Sequence, residues 1–221
     1  MSLAPDLIVA RRRQRRRASM WRFLAVLAVV VAVLVGAGGR GGLDALLDRP
    51  YVARIDVSGL ITEDTALNRR LFELAKDDSV KALIVRIDSP GGSTVGAETL
   101  FGAIRAVAAE KPVVAVMGSV AASGGYIAAL AADHIVAAGN TLTGSIGVLF
   151  EAPNFEGLMD KVGVQVDQIT SGPLKGQPNP FHPLTDPARV VMQALIQDSY
   201  DWFVGLVAER RNIPLDRAKA L

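Results

Sequence analysis

The sequence predicts an α/β domain with largely parallel strand pairing, carried behind one membrane-spanning segment. Two patterns lead there. From Tyr51 onward, apolar strand-like runs alternate with helix-like segments, the order that builds parallel sheets. Ahead of them, RRRQRRR at 11–17 is followed by the uncharged run FLAVLAVVVAVLVGAG at 23–38. An arginine block beside such a run reads as a membrane anchor, with the arginines held in the cytoplasm.

The anchor is short for a spanning helix, which needs roughly 17–25 residues, but Trp21 and a snorkelling Arg22 can extend it at the interface. The chain therefore divides into a cytoplasmic arginine-rich tail (1–22), a transmembrane signal anchor (23–39), a linker (40–50) and a globular domain (51–221). The small residues Gly36, Ala37 and Gly38 would also suit signal-peptide cleavage; the length of the apolar run favours an uncleaved, single-pass anchor.

Charge follows the same division. Residues 1–40 hold eight arginines against Asp6 alone, leaving 41–221 with a net charge of −5. A mildly acidic body argues against a nucleic-acid partner. The chain has no cysteine, which excludes disulfides, thiolate catalysis and cysteine-based zinc sites. No GxGxxG opens a helix after a strand and no GxxxxGK[ST] occurs, so nucleotide-binding α/β folds lose their main support. Neither a metal nor a cofactor is expected.

In order, YVARIDVSG (51–59) reads as a strand and 61–78 as a helix with Thr62 or Asp64 near its start. KALIVRIDS (81–89) is a second strand ending in Pro90-Gly91-Gly92, and 93–110 is a helix with Leu100, Ile104 and Val107 on one face. Val113 to Met117 is a buried strand that gives way to the small residues 118–125, and an alanine-rich helix then runs to about Ala132. HIVAAG (134–139) is a short strand, TLTGS a loop, and IGVLFE (146–151) another strand. Residues 154–162 are expected to be helical, VQVDQIT (164–170) extended, and 171–187 a Pro/Gly-rich loop. A long helix occupies 186–212, with Asp186 as its cap, Pro187 at its first position and Arg210-Arg211 in its last turn. Residues 213–221 open one more helix.

The chemistry centres on KPVVAVMGSVAASGGY (111–126). A strand that turns into a helix through small residues can hold one hydroxyl at a pocket mouth beside exposed N–H groups, and Ser123 is the candidate nucleophile. A helix N-cap is the competing reading of the same serine. The turn Asp88-Ser89-Pro90-Gly91-Gly92 can bring its backbone close to a ligand. With the N–H of Gly124 it can form an oxyanion hole; alone it also reads as an ordinary turn. The base is less evident from spacing. His134 reads as a structural histidine at a strand start and His182 as a solvated one. Lys175, in SGPLKGQPNPF, has few charges nearby in sequence, and a lysine serves as base only when burial lowers its pKa well below roughly 10.4.

Taken together, DSPGG (88–92), AASGGY with AAD (121–133), TGSIGV (143–148) and SGPLK (171–175) resemble the signal peptide peptidase A family. These are the membrane-anchored Ser–Lys proteases of peptidase family S49. The resemblance spans roughly 51–212. It implies a ClpP/crotonase-type spiral fold, with Ser123 as nucleophile, Lys175 as general base and Ser145 orienting the lysine. Gly91 or Gly92, with Gly124, would form the oxyanion hole. It also implies hydrolysis of short hydrophobic peptides such as signal-peptide remnants, at the plasma (inner) membrane with the protease domain on the extracytoplasmic side. Ser93 stands where the family often has a third glycine, and Gly176 where it often has an acidic residue. Short family members continue past the long helix, so the resemblance implies a C-terminus that stops short at Leu221 and a homo-oligomer where the C-terminus is complete. A Clp-type Ser–His protease, a crotonase-like acyl-CoA enzyme and a catalytically inactive membrane scaffold are the alternatives on the same fold.

Overall fold

A computed structural model describes residues 20–33 and 50–221. Residues 20–33 are helical and exposed throughout. The expected anchor overlaps them in part; its remainder, the arginine block at 11–17 and nearly all of the linker lie outside the described residues. Among the described residues no helix is long and apolar enough to cross a membrane.

A compact unit begins at Tyr51. Its elements are β1 (Tyr51–Ile61), α1 (Thr65–Lys76), β2 (Val80–Gly92), α2 (Thr94–Ala108), β3 (Val113–Ala122), α3 (Gly124–Leu130), β4 (His134–Val136), β5 (Leu142–Gly144), α4 (Glu156–Lys161), α5 (Asp186–Arg211) and α6 (Leu215–Lys219). The sheet order is β1-β2-β3-β4, and every pairing is parallel. β4 and β5 share one edge of β3: β4 pairs with Val114–Val116 and β5 with Val120–Ala122.

Burial along β2 alternates as a strand's two faces require. Leu83, Val85 and Ile87 are fully buried, and Ser89 continues the same inward series. α2 answers with Leu100, Ile104 and Val107, the stripe expected from helical spacing. α3 is buried at every position and packs on β2 and β3 between α2 and α5. The helix ends are capped as their chemistry dictates. The Asp64 carboxylate accepts from the N–H groups of Ala66 and Leu67, and the Ser93 hydroxyl accepts from that of Gly96. Thr185, rather than Asp186, caps α5. Between α1 and β2, the Ser79 hydroxyl and N–H donate to Asp77 and hold its carboxyl below the usual carboxylate range.

The structure departs from expectation in two places that matter. β3 does not end at Met117 but runs through the small residues to Ala122. Thr141 to Gly144, expected as loop, contains β5, whereas 146–151 and 164–170 form no strand. Apolar alternation marks a segment that can pair, but pairing needs a neighbouring edge. β5 finds one on β3; the other two segments have no strand partner among the described residues.

Candidate active site

Ser123 occupies the junction between β3 and α3 with φ 51° and ψ −120°. A side chain rarely adopts that backbone region, at a cost on the order of 1–3 kcal/mol unless the surroundings enforce it. Here they do. The Ser123 N–H donates to the Gly144 carbonyl at 2.8 Å, and its carbonyl accepts from Ile127 N–H at 3.0 Å. The hydroxyl makes no cap bond to the helix. The N-cap reading of this serine is therefore replaced by a sharp, strained turn that leaves Oγ free.

The register that creates this turn is set one strand away. Ile87 pairs with Met117 but Ser89 pairs with Ala121, so β3 carries two extra residues across a bulge. The Asp88 carboxylate fills the gap by accepting from the Val120 N–H at 3.0 Å. Gly118 leaves room for it: a Cβ there would stand 3.0 Å from the Asp88 carboxyl carbon, a tight contact that would press on the carboxylate. The bulge turns the end of β3 and delivers Ser123 toward the Pro90–Gly92 turn. Asp88 was visible in the sequence only as the start of a turn motif. Its contact lies 32 residues away and has no local signature.

Ser89 is the second residue that sequence reasoning missed. Fully buried, its hydroxyl donates to the Gly59 carbonyl at 2.6 Å and accepts from the Gly91 N–H at 3.1 Å. Its place in the inward series of β2 was the available signal, a polar residue at a core position. The consequence is specific. With its N–H engaged by Ser89, Gly91 shapes the turn, and Gly92 is left as the turn's candidate oxyanion donor. The Ser93 N–H is likewise taken, by the Ile61 carbonyl at 2.9 Å.

Gly91, Gly92 and Gly124 meet Ser123 directly. A Cβ on Gly91, where φ is 110°, would lie 2.9 Å from both the Gly124 nitrogen and the Ser123 Cβ. A Cβ on Gly124 would lie 3.4 Å from the Gly92 nitrogen. Gly124 opens α3, where the first N–H groups have no intrahelical acceptor. The backbone nitrogens of Gly92 and Gly124 thus lie close together at the serine turn.

Ser145 joins this site through the sheet. Ala122 pairs with Gly144, so Ser123 and Ser145 each follow the last paired residue of neighbouring parallel strands. Both carry positive φ, 51° and 52°. Both line a cleft of about 680 Å³ together with Gly91, Gly92 and Gly124. Its remaining walls are largely apolar, including Ala97, Ile127, Leu149, Trp202 and Phe203. Behind the cleft, burial pushes the Tyr126 phenol up, with the Arg211 guanidinium opposing.

Lys175 is placed elsewhere. It is exposed, on the loop before α5, and lines a separate hollow with Gln168, Gln177 and His182. It does not line the Ser123 cleft within one chain, and neither do His182 and His134. His134, expected to be structural, begins β4 as an exposed residue. A Clp-type Ser–His pair is therefore not assembled in the cleft. Among the described residues no group of acidic or histidine side chains is placed to hold a metal ion.

The pattern of Peptidase family S49 matches residues 105–221, more than half of the chain and all of the segment from β3 to α6. The chain belongs to peptidase family S49. The Clp protease pattern matches residues 47–140, in keeping with a ClpP-like α/β fold with a parallel sheet. A relative from Synechocystis is 39% identical over 172 residues, covering 77% of this chain and 62% of its own. Protease 4 of Haemophilus influenzae is 39% identical over 65% of this chain and 24% of its own length. The chloroplastic serine protease SPPA of Arabidopsis thaliana is 36% identical over 72% and 24%. The chain thus spans between about a quarter and about three fifths of these S49 relatives. Ser123 and Ser145, both within the S49 match, meet Gly91, Gly92 and Gly124 in one cleft, while Lys175 of the same match stands apart from them.

Proposed function

We propose that this chain is a membrane-anchored serine endopeptidase that hydrolyses short hydrophobic peptides, such as signal-peptide remnants, with a Ser123–Lys175 dyad. One observation carries the reading. Ser123 is held in a strained turn with its hydroxyl uncapped, at an apolar cleft, between the backbone of Gly92 and Gly124. A mere turn has no need of that strain.

In the proposed reaction the Ser123 Oγ attacks the peptide carbonyl as its proton passes to the Lys175 Nζ. The N–H groups of Gly92 and Gly124 stabilise the oxyanion, a contribution on the order of 10²–10³ in rate for a single donor. Lys175 then protonates the leaving amine, and water, deprotonated by the same lysine, releases the acyl group from Ser123. Ser145 orients the lysine. The lysine must be supplied in a water-excluded position, and one chain leaves it exposed. A neighbouring copy is the proposed source, with Lys175 of one chain serving Ser123 of the next. Support comes from apolar side chains left exposed beside Lys175 in sequence and on α5, among them Ile169, Leu174, Val190 and Leu195.

The apolar cleft walls favour hydrophobic substrate side chains. The exposed helix at 20–33, apolar around its circumference at Phe23, Leu24, Val26 and Val29, fits a hydrocarbon environment. With the arginines at 11–17 held in the cytoplasm, the domain from Tyr51 would lie on the extracytoplasmic side of the plasma (inner) membrane. An inactive scaffold of the same fold is the second reading, favoured by the exposed position of Lys175. A fluorophosphonate probe separates the two. Covalent labelling at Ser123 and peptide hydrolysis, both lost in Ser123→Ala, are expected of the peptidase. An unlabelled Ser123 in a folded, assembled protein would leave the scaffold.

A further inference from the structure

The loop that carries Lys175 is built as a closed unit. The Asn179 Nδ2 donates to the Gln168 Oε1 at 2.6 Å, joining two side chains 11 residues apart. Between them the chain folds on itself: the Lys175 N–H donates to the Gly172 carbonyl at 3.1 Å and the Gln177 N–H to the Leu174 carbonyl at 3.2 Å. The Thr170 hydroxyl donates to the Gly172 carbonyl at 2.9 Å. On the far side, the Asn179 Oδ1 accepts from the N–H groups of Phe181 and His182 at 2.8 and 3.1 Å. Asn179 therefore fixes the loop's exit while Gln168 fixes its entry. A loop of this length with joined ends is an Ω-loop, held by its own side chains.

Gln168 has a second contact. Gly176, immediately after the lysine, has φ +85°, and the space a Cβ would take there is filled by the Gln168 amide. A glycine at this position lets Gln168 back the turn that presents Lys175.

We infer that Gln168 and Asn179 are positioning residues for Lys175, a side-chain clasp that sets where the lysine stands on its loop. This rests on the reading of Lys175 as the base. The clasp touches neither Ser123 nor the cleft, so it acts on the reaction through the lysine alone. Misplacing a catalytic group by about 1 Å can cost up to 10²-fold. Because the clasp is exposed and only one of several bonds shaping the loop, the expected loss is smaller, about tenfold.

The test uses the full chain in detergent and a chromogenic hydrophobic peptide. Gln168→Ala and Asn179→Ala both remove the clasp bond and are each expected to lower kcat about tenfold with KM nearly unchanged, and the double variant to fall by clearly less than the product of the two. Gln168→Glu keeps the acceptor oxygen and the side-chain length and is expected to retain most of the activity that Gln168→Ala loses. Since the two single variants break the bond from opposite ends, misfolding of one leaves the other as a test. Wild-type kcat in a folded single variant, alongside an inactive Lys175→Ala, would overturn the clasp alone. So would a lowered thermal midpoint with kcat per folded molecule unchanged. Full activity in Lys175→Ala would instead remove the base reading on which the inference rests.

Discussion

At the scale of single residues, the site depends on groups that never touch a substrate. The oxyanion turn holds its shape because Ser89 spends its hydroxyl on Gly59 and Gly91. Ser123 reaches its turn because Asp88 stabilises the bulge that redirects β3. A hydrogen bond to a charged group contributes about 1.5–3 kcal/mol, and a buried N–H left unpaired costs a similar amount. Asp88→Ala is therefore expected to lose about 2 kcal/mol in denaturant unfolding and to lower kcat more than it raises KM. Asp88→Asn keeps an acceptor and should lose less of both. The strand-to-helix turn at Ser123 and the glycines beside it were legible in the sequence, because small residues between a strand and a helix are a local signal. Asp88 and Ser89 were legible only as part of a turn. Their partners lie 30 or more residues away, and a bulge is a relation between two strands, not a property of one.

At the scale of elements, α3 is the piece most in need of outside support. It is 7 residues long and entirely buried, so the carbonyls at its C-terminal end have no access to water and must find donors in the protein. Two arginines provide them. The Arg210 guanidinium, from α5, donates to the Leu130 and Ala132 carbonyls at 2.8 and 2.9 Å, and Arg105, from α2, donates to the Ala131 carbonyl at 3.1 Å. Both also place positive charge at the negative end of the helix dipole. Arg210 was anticipated as a charge in the last turn of its own helix; its work is at the end of another. Arg210→Met, which keeps the aliphatic stem, is expected to destabilise the domain by about 2–4 kcal/mol by stranding two carbonyls. Thermal or urea unfolding checks this, and the loss should exceed that of Arg105→Met, which frees only one carbonyl. The misread segments belong to this scale too. Residues 146–151 and 164–170 have strand-like composition, and sequence pattern reports what a segment can bury, not whether an edge is there to receive it.

At the scale of the whole molecule, one chain gathers the proposed nucleophile and oxyanion donors in one cleft and holds its proposed base on a separate, self-braced loop. The order of motifs along the sequence revealed which residues belong together in the family. It carried no information on which chain supplies each of them, since a cleft and a loop from two copies read the same as a cleft and a loop from one. The proposed arrangement makes assembly a condition of activity, with Lys175 removed from water only when copies meet. The most direct measurement mixes two inactive variants, Ser123→Ala and Lys175→Ala, after dissociation and reassembly, and follows hydrolysis of a hydrophobic peptide. A dyad shared between neighbours predicts that each variant alone is inactive and that the mixture regains activity, because intact Ser123 in one copy meets intact Lys175 in the next. A mixture that co-assembles yet stays inactive, or either variant active alone, would contradict the account.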